Sequence, residues 1–202
     1  ARIHAAAIGA RPSLRATVQV EPAAAVADAT EPVVSEPQAP PEWVRDSTVY
    51  EIFVRSFAGE TVETTFETIE QRLPYLDDLG VDCLWLTPVL ENDHAPHGYN
   101  ITDFFSIADD LGDRDDYERF VEAAHDRGMA VLFDLVLNHS ARAHPFFRDA
   151  YRNPDSEYYD WYDWREDGEP ETYFEWEYIA NWNFENLSVR RHLLDAVDEW
   201  FE

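Results

Sequence analysis

The sequence has no lysine. All 15 basic residues are arginine, against 42 Asp and Glu, for a formal net charge of −27. Such a surface repels a nucleic-acid backbone and an anionic membrane, so neither is expected as a partner. Self-repulsion of this size costs stability in dilute salt and is screened in concentrated salt. The composition therefore points to a halophilic protein, with a merely acidic cytosolic protein as the alternative. The single cysteine, Cys83, excludes an intramolecular disulfide. It sits in the apolar run "VDCLWL" and reads as a buried, inert thiol. No stretch approaches the ~20 apolar residues that span a bilayer. No signal peptide is evident, and with no disulfide the expected compartment is the cytoplasm, with secretion as the alternative. The chain opens on Ala1 rather than Met, so it is expected to begin within a longer protein.

What is present supports a sizeable core: 45% hydrophobic and 14% aromatic residues in 202. Within residues 1–42, "LRATVQV" reads as a last strand of a preceding domain, and the Ala-, Pro- and Glu-rich stretch from Glu21 reads as a disordered linker. The next domain is expected from residue 43, with regular structure from about Val49. "VYEIFVRSF" (49–57) has the β-branched and aromatic content of a strand. A helix follows, with Thr64 and Glu67 as its capping box, Ile69, Leu73 and Leu76 on one face, Pro74 as a kink and Gly80 as its stop. "VDCLWLTPV" (81–89) is a second strand. Residues 115–128 form a second helix with Tyr117, Phe120, Val121 and Ala124 inward, and 129–139 a third strand. An aromatic-rich inserted segment fills 140–187. Ser188 then caps a helix over 188–202 whose apolar face is Leu193, Leu194, Val197 and Phe201.

This alternation predicts an α/β fold, and strands apolar nearly throughout predict a parallel sheet covered on both faces. No Gly-rich phosphate loop follows the first strand, which disfavours a nucleotide-binding doubly wound sheet. The expected architecture is the first three βα units of a (β/α)8 TIM barrel, residues 43–139, with a small irregular domain inserted after the third strand. Ligands in such folds sit at the carboxyl ends of the strands. The polar clusters "TPVLENDHAPHGYN" and "NHSARAH" fall there.

Two chemistries compete for those clusters. His94, His97, His139 and His144 are the residue types of a transition-metal site, but no His-x-x-x-His pair on a helix supports zinc. His94 and His144 read as ordinary loop histidines. Asp134 is the one carboxylate placed within a buried strand, whereas Glu91 and Asp93 lie in a solvated loop and are not promoted to catalysis. In the inserted segment, "YYDWYDW" and "YFEWEYIANWNF" offer rings on which sugar C–H faces stack. A domain of under fifty residues also needs large side chains to make any core. Most rings are assigned to that core, with Trp176 or Trp182 as candidates to line a cleft.

Four segments together carry a resemblance. "VYEIFVRSF", "LWLTPV" followed by "HGYNITDF", "DLVLNHS", and "NWNFENLSVRRHLLD" occur in the order found in the catalytic barrel of the alpha-amylase family of glycoside hydrolases, which the chain resembles from about Val49 onward. The resemblance implies that Asp134 orders the site as structural support. It implies that His97 and His139 hydrogen-bond sugar hydroxyls, with the ring of Tyr99 beneath that sugar. Asn138 matches a residue that binds structural calcium in many members, and the side-chain oxygens of amides suit that ion. The expected partner is an oligosaccharide or polysaccharide. The implied activity is retaining hydrolysis of α-glucans or α-glucosides, with transglycosylation or sugar isomerisation, or non-catalytic sugar binding, as alternatives. The family's catalytic carboxylates come from later strands, so none is expected in this segment, which is predicted inactive alone. Two positions depart from the family pattern: Asn100, where Asp is frequent, and Asn181-Trp182, where Asp-Leu is usual.

Overall fold

The computed structural model describes residues 2–8, 13–19, 39–40, 42–59 and 63–201. Strands β1 (Arg2–Ile8) and β2 (Ser13–Gln19) pair antiparallel, with Arg2 opposite Gln19. The strand expected at "LRATVQV" is thus present as β2 up to Gln19, whereas Val20 and residues 21–38 and 41 of the expected linker lie outside the described residues.

After a short helix α1 (Glu42–Arg45), strand β3 (Val49–Ile52) begins the main body. It stops sooner than expected, because Val54–Ser56 coil into a 3-10 turn. The single helix expected next is two, α2 (Phe66–Glu70) and α3 (Leu73–Asp78). Pro74 lies in the first turn of α3, where its missing N–H costs nothing. The chain therefore restarts its helix at Pro74 rather than bending through it. The capping box is one residue later than expected: Thr65 and Thr68 bond reciprocally. Thr64 instead accepts the Ala58 amide at 3.0 Å.

Strands β4 (Cys83–Leu86) and β5 (Ala130–Phe133) join β3 in a parallel sheet of order β3-β4-β5. The register aligns Val49, Cys83 and Ala130. Helix α4 (Arg114–Asp126) crosses between them, capped by Asp113, which accepts the Asp116 amide while Asp116 bonds back. Ile52, Leu84 and Leu86 are buried with Phe66, Ile69, Leu73, Leu76, Phe120 and Ala124 of the helices. Each of these Leu, Ile and Phe side chains contributes roughly 1.5–3 kcal/mol through burial. The opposite face is covered only in part: Cys83 and Ala130 on it are buried. The row Glu51, Trp85 and Leu132, aligned by register, is exposed. A parallel sheet wrapped on one face by helices, with each new strand added beside the last, has the geometry of the opening staves of a barrel.

The expected third strand is divided. β5 ends at Phe133, and residues 134–138 are irregular. His139 opens β6 (His139–Ala141), which pairs antiparallel with β7 (Ile179–Asn181). Asp134 therefore sits one residue past a strand rather than within it. Between β6 and β7 lies α5 (Pro145–Ala150) and a run of turns. Phe147, Tyr162, Ile179 and Trp182 fill the interior there, with Tyr162 stacked on Trp182 at 4.7 Å between centroids. Trp182, 1% exposed, belongs to this core and does not line a cleft.

Helix α6 (Leu187–Phe201) closes the described chain. Its cap is Asn186, whose side-chain oxygen accepts the Ser188 amide at 2.9 Å, not Ser188 itself. Val189, Leu193 and Ala196 face the core, while Leu194 and Val197 are half-buried and Phe201 is exposed. The packed face is rotated from the expected one because α6 covers both the sheet side and the inserted segment, where His192 meets Trp161 and Phe146.

Candidate functional site

The carboxyl end of the sheet is built from three segments. Thr87, just past β4, donates its amide to Ile52 and accepts the Val54 amide on its hydroxyl at 3.1 Å, tying the ends of β3 and β4 together. The following loop folds back on itself through bridges Leu90–Ile107 and Asn92–Ile101. Asp93 is consumed in shaping its tip: it accepts the Ala95 amide and, at 3.0 Å, the side-chain amide of Asn100. An Asp at position 100 would place a second carboxylate against Asp93, so this departure from the family pattern has a local electrostatic reason. Glu91 is likewise engaged, accepting the Asp109 amide.

This loop carries His97 and Tyr99. The Tyr99 amide donates to His97 Nδ1 at 3.0 Å, which places the imidazole proton on Nε2. Among the described residues that N–H has no protein partner. The rings of His97 and Tyr99 lie 5.9 Å apart between centroids. Across the site, the Tyr99 hydroxyl donates to Asp134 Oδ2 at 2.9 Å. Burial, then that hydrogen bond, pushes the Tyr99 hydroxyl up to about 12, so it remains a neutral donor.

His139 completes the group. Its Nε2 lies 3.1 Å from the Tyr99 carbonyl and its Nδ1 3.3 Å from the Asn138 side-chain nitrogen. A carbonyl only accepts and an amide N–H only donates, so the neutral tautomer carries its proton on Nε2. His139 is 4% exposed, and burial is the main cause that holds its pKa below the ordinary imidazole value. It is uncharged at neutral pH. Both ring nitrogens are engaged, so a ligand hydroxyl must compete with the Tyr99 carbonyl for the Nε2 proton.

The structure thus gathers His97, Tyr99, Asp134 and His139 into one connected cluster at the sheet's carboxyl end. Asn138 is exposed, and its amide nitrogen turns to His139. No group of three or more His, Cys, Asp or Glu side chains is placed to hold a metal among the described residues. No such carboxylate group surrounds Asn138 among the described residues, and the zinc reading of the histidines fails on the same geometry. His94 is an exposed turn residue at φ 65°. His144 is not the ordinary loop histidine expected: it is buried, caps α5 by accepting the Phe146 amide, and packs on Phe104 and Trp182.

Two neighbours escaped the sequence reading. Tyr173 stacks on His139 at 6.5 Å and 22°. It leads an exposed aromatic turn with Phe174 (φ 50°) and Trp176, in which Trp176 is 48% exposed. Arg55, at the end of β3, donates to the Pro88 carbonyl beneath the His97–Tyr99 loop. Neither has a local pattern that announces it.

Comparison with known proteins bears on this cluster. The model for the catalytic domain of alpha amylase matches residues 51–202. Alpha-amylase MalA of Haloarcula japonica is 68% identical over 164 residues, covering 81% of this chain and 25% of that protein. A trehalose synthase of Thermus thermophilus is 39% identical over 156 residues, covering 73% and 16%. Among solved structures, an alpha-amylase from H. orenii superposes with a TM-score of 0.68 at 31% identity, covering 76% of this chain and 37% of that one. The chain therefore spans well under half the length of each of these relatives. With three consecutive parallel strands, their helices and the family match over the same residues, the chain is a partial β/α barrel and belongs to the alpha-amylase family.

Proposed function

We propose that the full-length protein is a retaining glycoside hydrolase acting on α-glucans or α-glucosides, and that this chain supplies the sugar-holding rim of its active site. The observation that carries the reading is the cluster itself. One hydrogen-bonded group links an aromatic face, a free imidazole N–H and a carboxylate at the carboxyl end of a parallel sheet. Sugars present an apolar C–H face and a ring of hydroxyls, and this pairing of features matches both. Tyr99, tethered at its amide and its hydroxyl, offers a ring of fixed orientation. His97 Nε2–H is the donor available to a sugar hydroxyl. His139 Nε2–H is a second, reached by exchanging its carbonyl partner. Asp134 holds the platform through the Tyr99 hydroxyl. Contacts that strengthen as the sugar flattens toward an oxocarbenium ion raise kcat rather than affinity alone.

Retaining hydrolysis also needs a nucleophilic carboxylate and an acid about 5–5.5 Å apart. The carboxyl groups of the rim are committed elsewhere: Asp134 to Tyr99, Asp93 to Asn100, Glu91 to a backbone amide. Asp163, whose pKa is raised by burial and by Glu171 and Glu185, lies in the inserted segment between the backbones of Asn181 and Glu171. The nucleophile and acid are therefore assigned to the remainder of the full-length protein. There, an Asp attacks the anomeric carbon while a Glu protonates the leaving oxygen, and water releases the glycosyl group. No step is routed through calcium.

Transglycosylation or isomerisation is the second reading, favoured by the 39% identity to a trehalose synthase. Incubating the full-length protein with maltose and maltotriose separates the two. Hydrolysis yields glucose and shortened chains, whereas transfer yields longer or rearranged sugars. Sugar binding with neither product supports a non-catalytic relative and removes the hydrolase reading.

A further inference from the structure

We propose that Arg55 is a positioning residue that sets the sugar-binding turn from beneath, acting through the Pro88 carbonyl and the Gly98 backbone; this rests on the reading of His97 and Tyr99 as sugar contacts. Arg55 lies in the 3-10 turn that ends β3, with its side chain 10% exposed. Nε and Nη2 fork onto the carboxylate of Asp110 at 2.7 and 3.1 Å, and Nη1 donates to the Pro88 carbonyl at 3.2 Å. A largely buried guanidinium costs stability unless its donors are met. Here those donors join three separate parts of the site: the end of β3, the chain leaving β4, and the segment before α4.

Gly98 rests on this clamp. A Cβ at that position would lie 2.4 Å from the Pro88 carbonyl oxygen and 2.9 Å from Arg55 Nη1. Its φ of 78° is in the left-handed region, and its amide closes a turn onto Ala95 at 2.9 Å. The chain neighbours of Gly98 are His97 and Tyr99. The height and tilt of both are therefore set by how closely one peptide can approach the Arg55–Pro88 pair. A lysine could keep the charge and bond one partner, but a single ammonium cannot fork onto Asp110 while also reaching Pro88.

The test compares Arg55→Lys, Gly98→Ala and the double variant in the full-length protein, with kcat and KM on an α-glucoside and a thermal midpoint for each. A misplacement of the binding groups by about 1 Å predicts a loss of about 10–100-fold in kcat/KM for each single variant, mainly in kcat. Because both act on the same turn, the double variant should lose no more than the worse single. An Arg55→Lys protein with a wild-type kcat/KM overturns the proposal, and so do losses that multiply in the double variant. If Arg55→Lys does not fold, Asp110→Asn takes its place against the same two criteria. A wild type inactive on glucosides refutes the hydrolase reading instead. The same cycle, read as affinity for a glucose analogue, then decides the clamp separately.

Discussion

Tyr99 is held at three points by groups from three places in the chain: its amide by His97, its hydroxyl by Asp134, and its carbonyl by His139. This redundancy separates the roles of its neighbours. Among the described residues His97 keeps its outward N–H free, so on the proposed reading His97→Ala in the full-length protein should raise KM and lower kcat together, a loss expected of about 1–3 kcal/mol for a buried partner left unpaired. His139 supports the platform and reaches a hydroxyl only by exchange. Replacing it with Ala should lower kcat more than it raises KM, as for an interaction gained in the transition state. Steady-state kinetics of both variants check the difference, and unchanged kcat in His139→Ala would contradict its role. At this scale the motifs "HGYN" and "DLVLNHS" made the residues legible through the family resemblance they carry, although Asp134 was expected inside the third strand and lies one residue past its end. Arg55 and Tyr173 were not legible. Each meets the site more than thirty residues away along the chain, through contacts no local pattern encodes.

Among the elements, capping residues decided the boundaries. Asp113 with Asp116 forms the capping box of α4, so the helix begins at Arg114, one residue ahead of the expected start at 115. In "TTFET", Thr64 and Thr65 are both capable caps, and tertiary structure chose between them by turning Thr64 to Ala58. The divided third strand was hidden for a different reason. "LFDLVLNHS" is apolar enough for one continuous strand, but His139–Ala141 pairs with a segment forty residues later. His144 yields a prediction at this scale. Burial first, then repulsion from His192, holds its pKa down from 6.5 to about 4, with Asp103 partly opposing. The folded state refuses a proton that the unfolded chain accepts. This group's contribution is therefore whole above about pH 6.5 and is lost as pH falls toward 4. Urea midpoints between pH 7 and pH 4 should fall, and His144→Asn, which keeps a capping oxygen, should flatten that slope. An identical slope in the variant would remove His144 as the cause. In the same segment, Trp182→Ala should cost about 3–5 kcal/mol, measured by chemical denaturation.

At the scale of the molecule, charge and sheet geometry dominate. A net charge of −27 without a lysine predicts that the unfolding midpoint of the full-length protein rises steeply from low to molar salt. A flat response would exclude adaptation to salinity. The exposed row Glu51, Trp85 and Leu132 lies on the face opposite the helices, which a closed barrel turns inward. The alternation of apolar strands and helices made the barrel readable, and the burial it predicts on both faces belongs to the closed barrel of which these three strands are part. The central claim is that the rim of these staves grips a sugar. It is tested most directly by a crystal structure of the full-length protein with a non-hydrolysed α-glucoside analogue. The account predicts a glucose ring lying on the face of Tyr99 with a hydroxyl within hydrogen-bond distance of His97 Nε2. An analogue bound with neither residue in contact would contradict it.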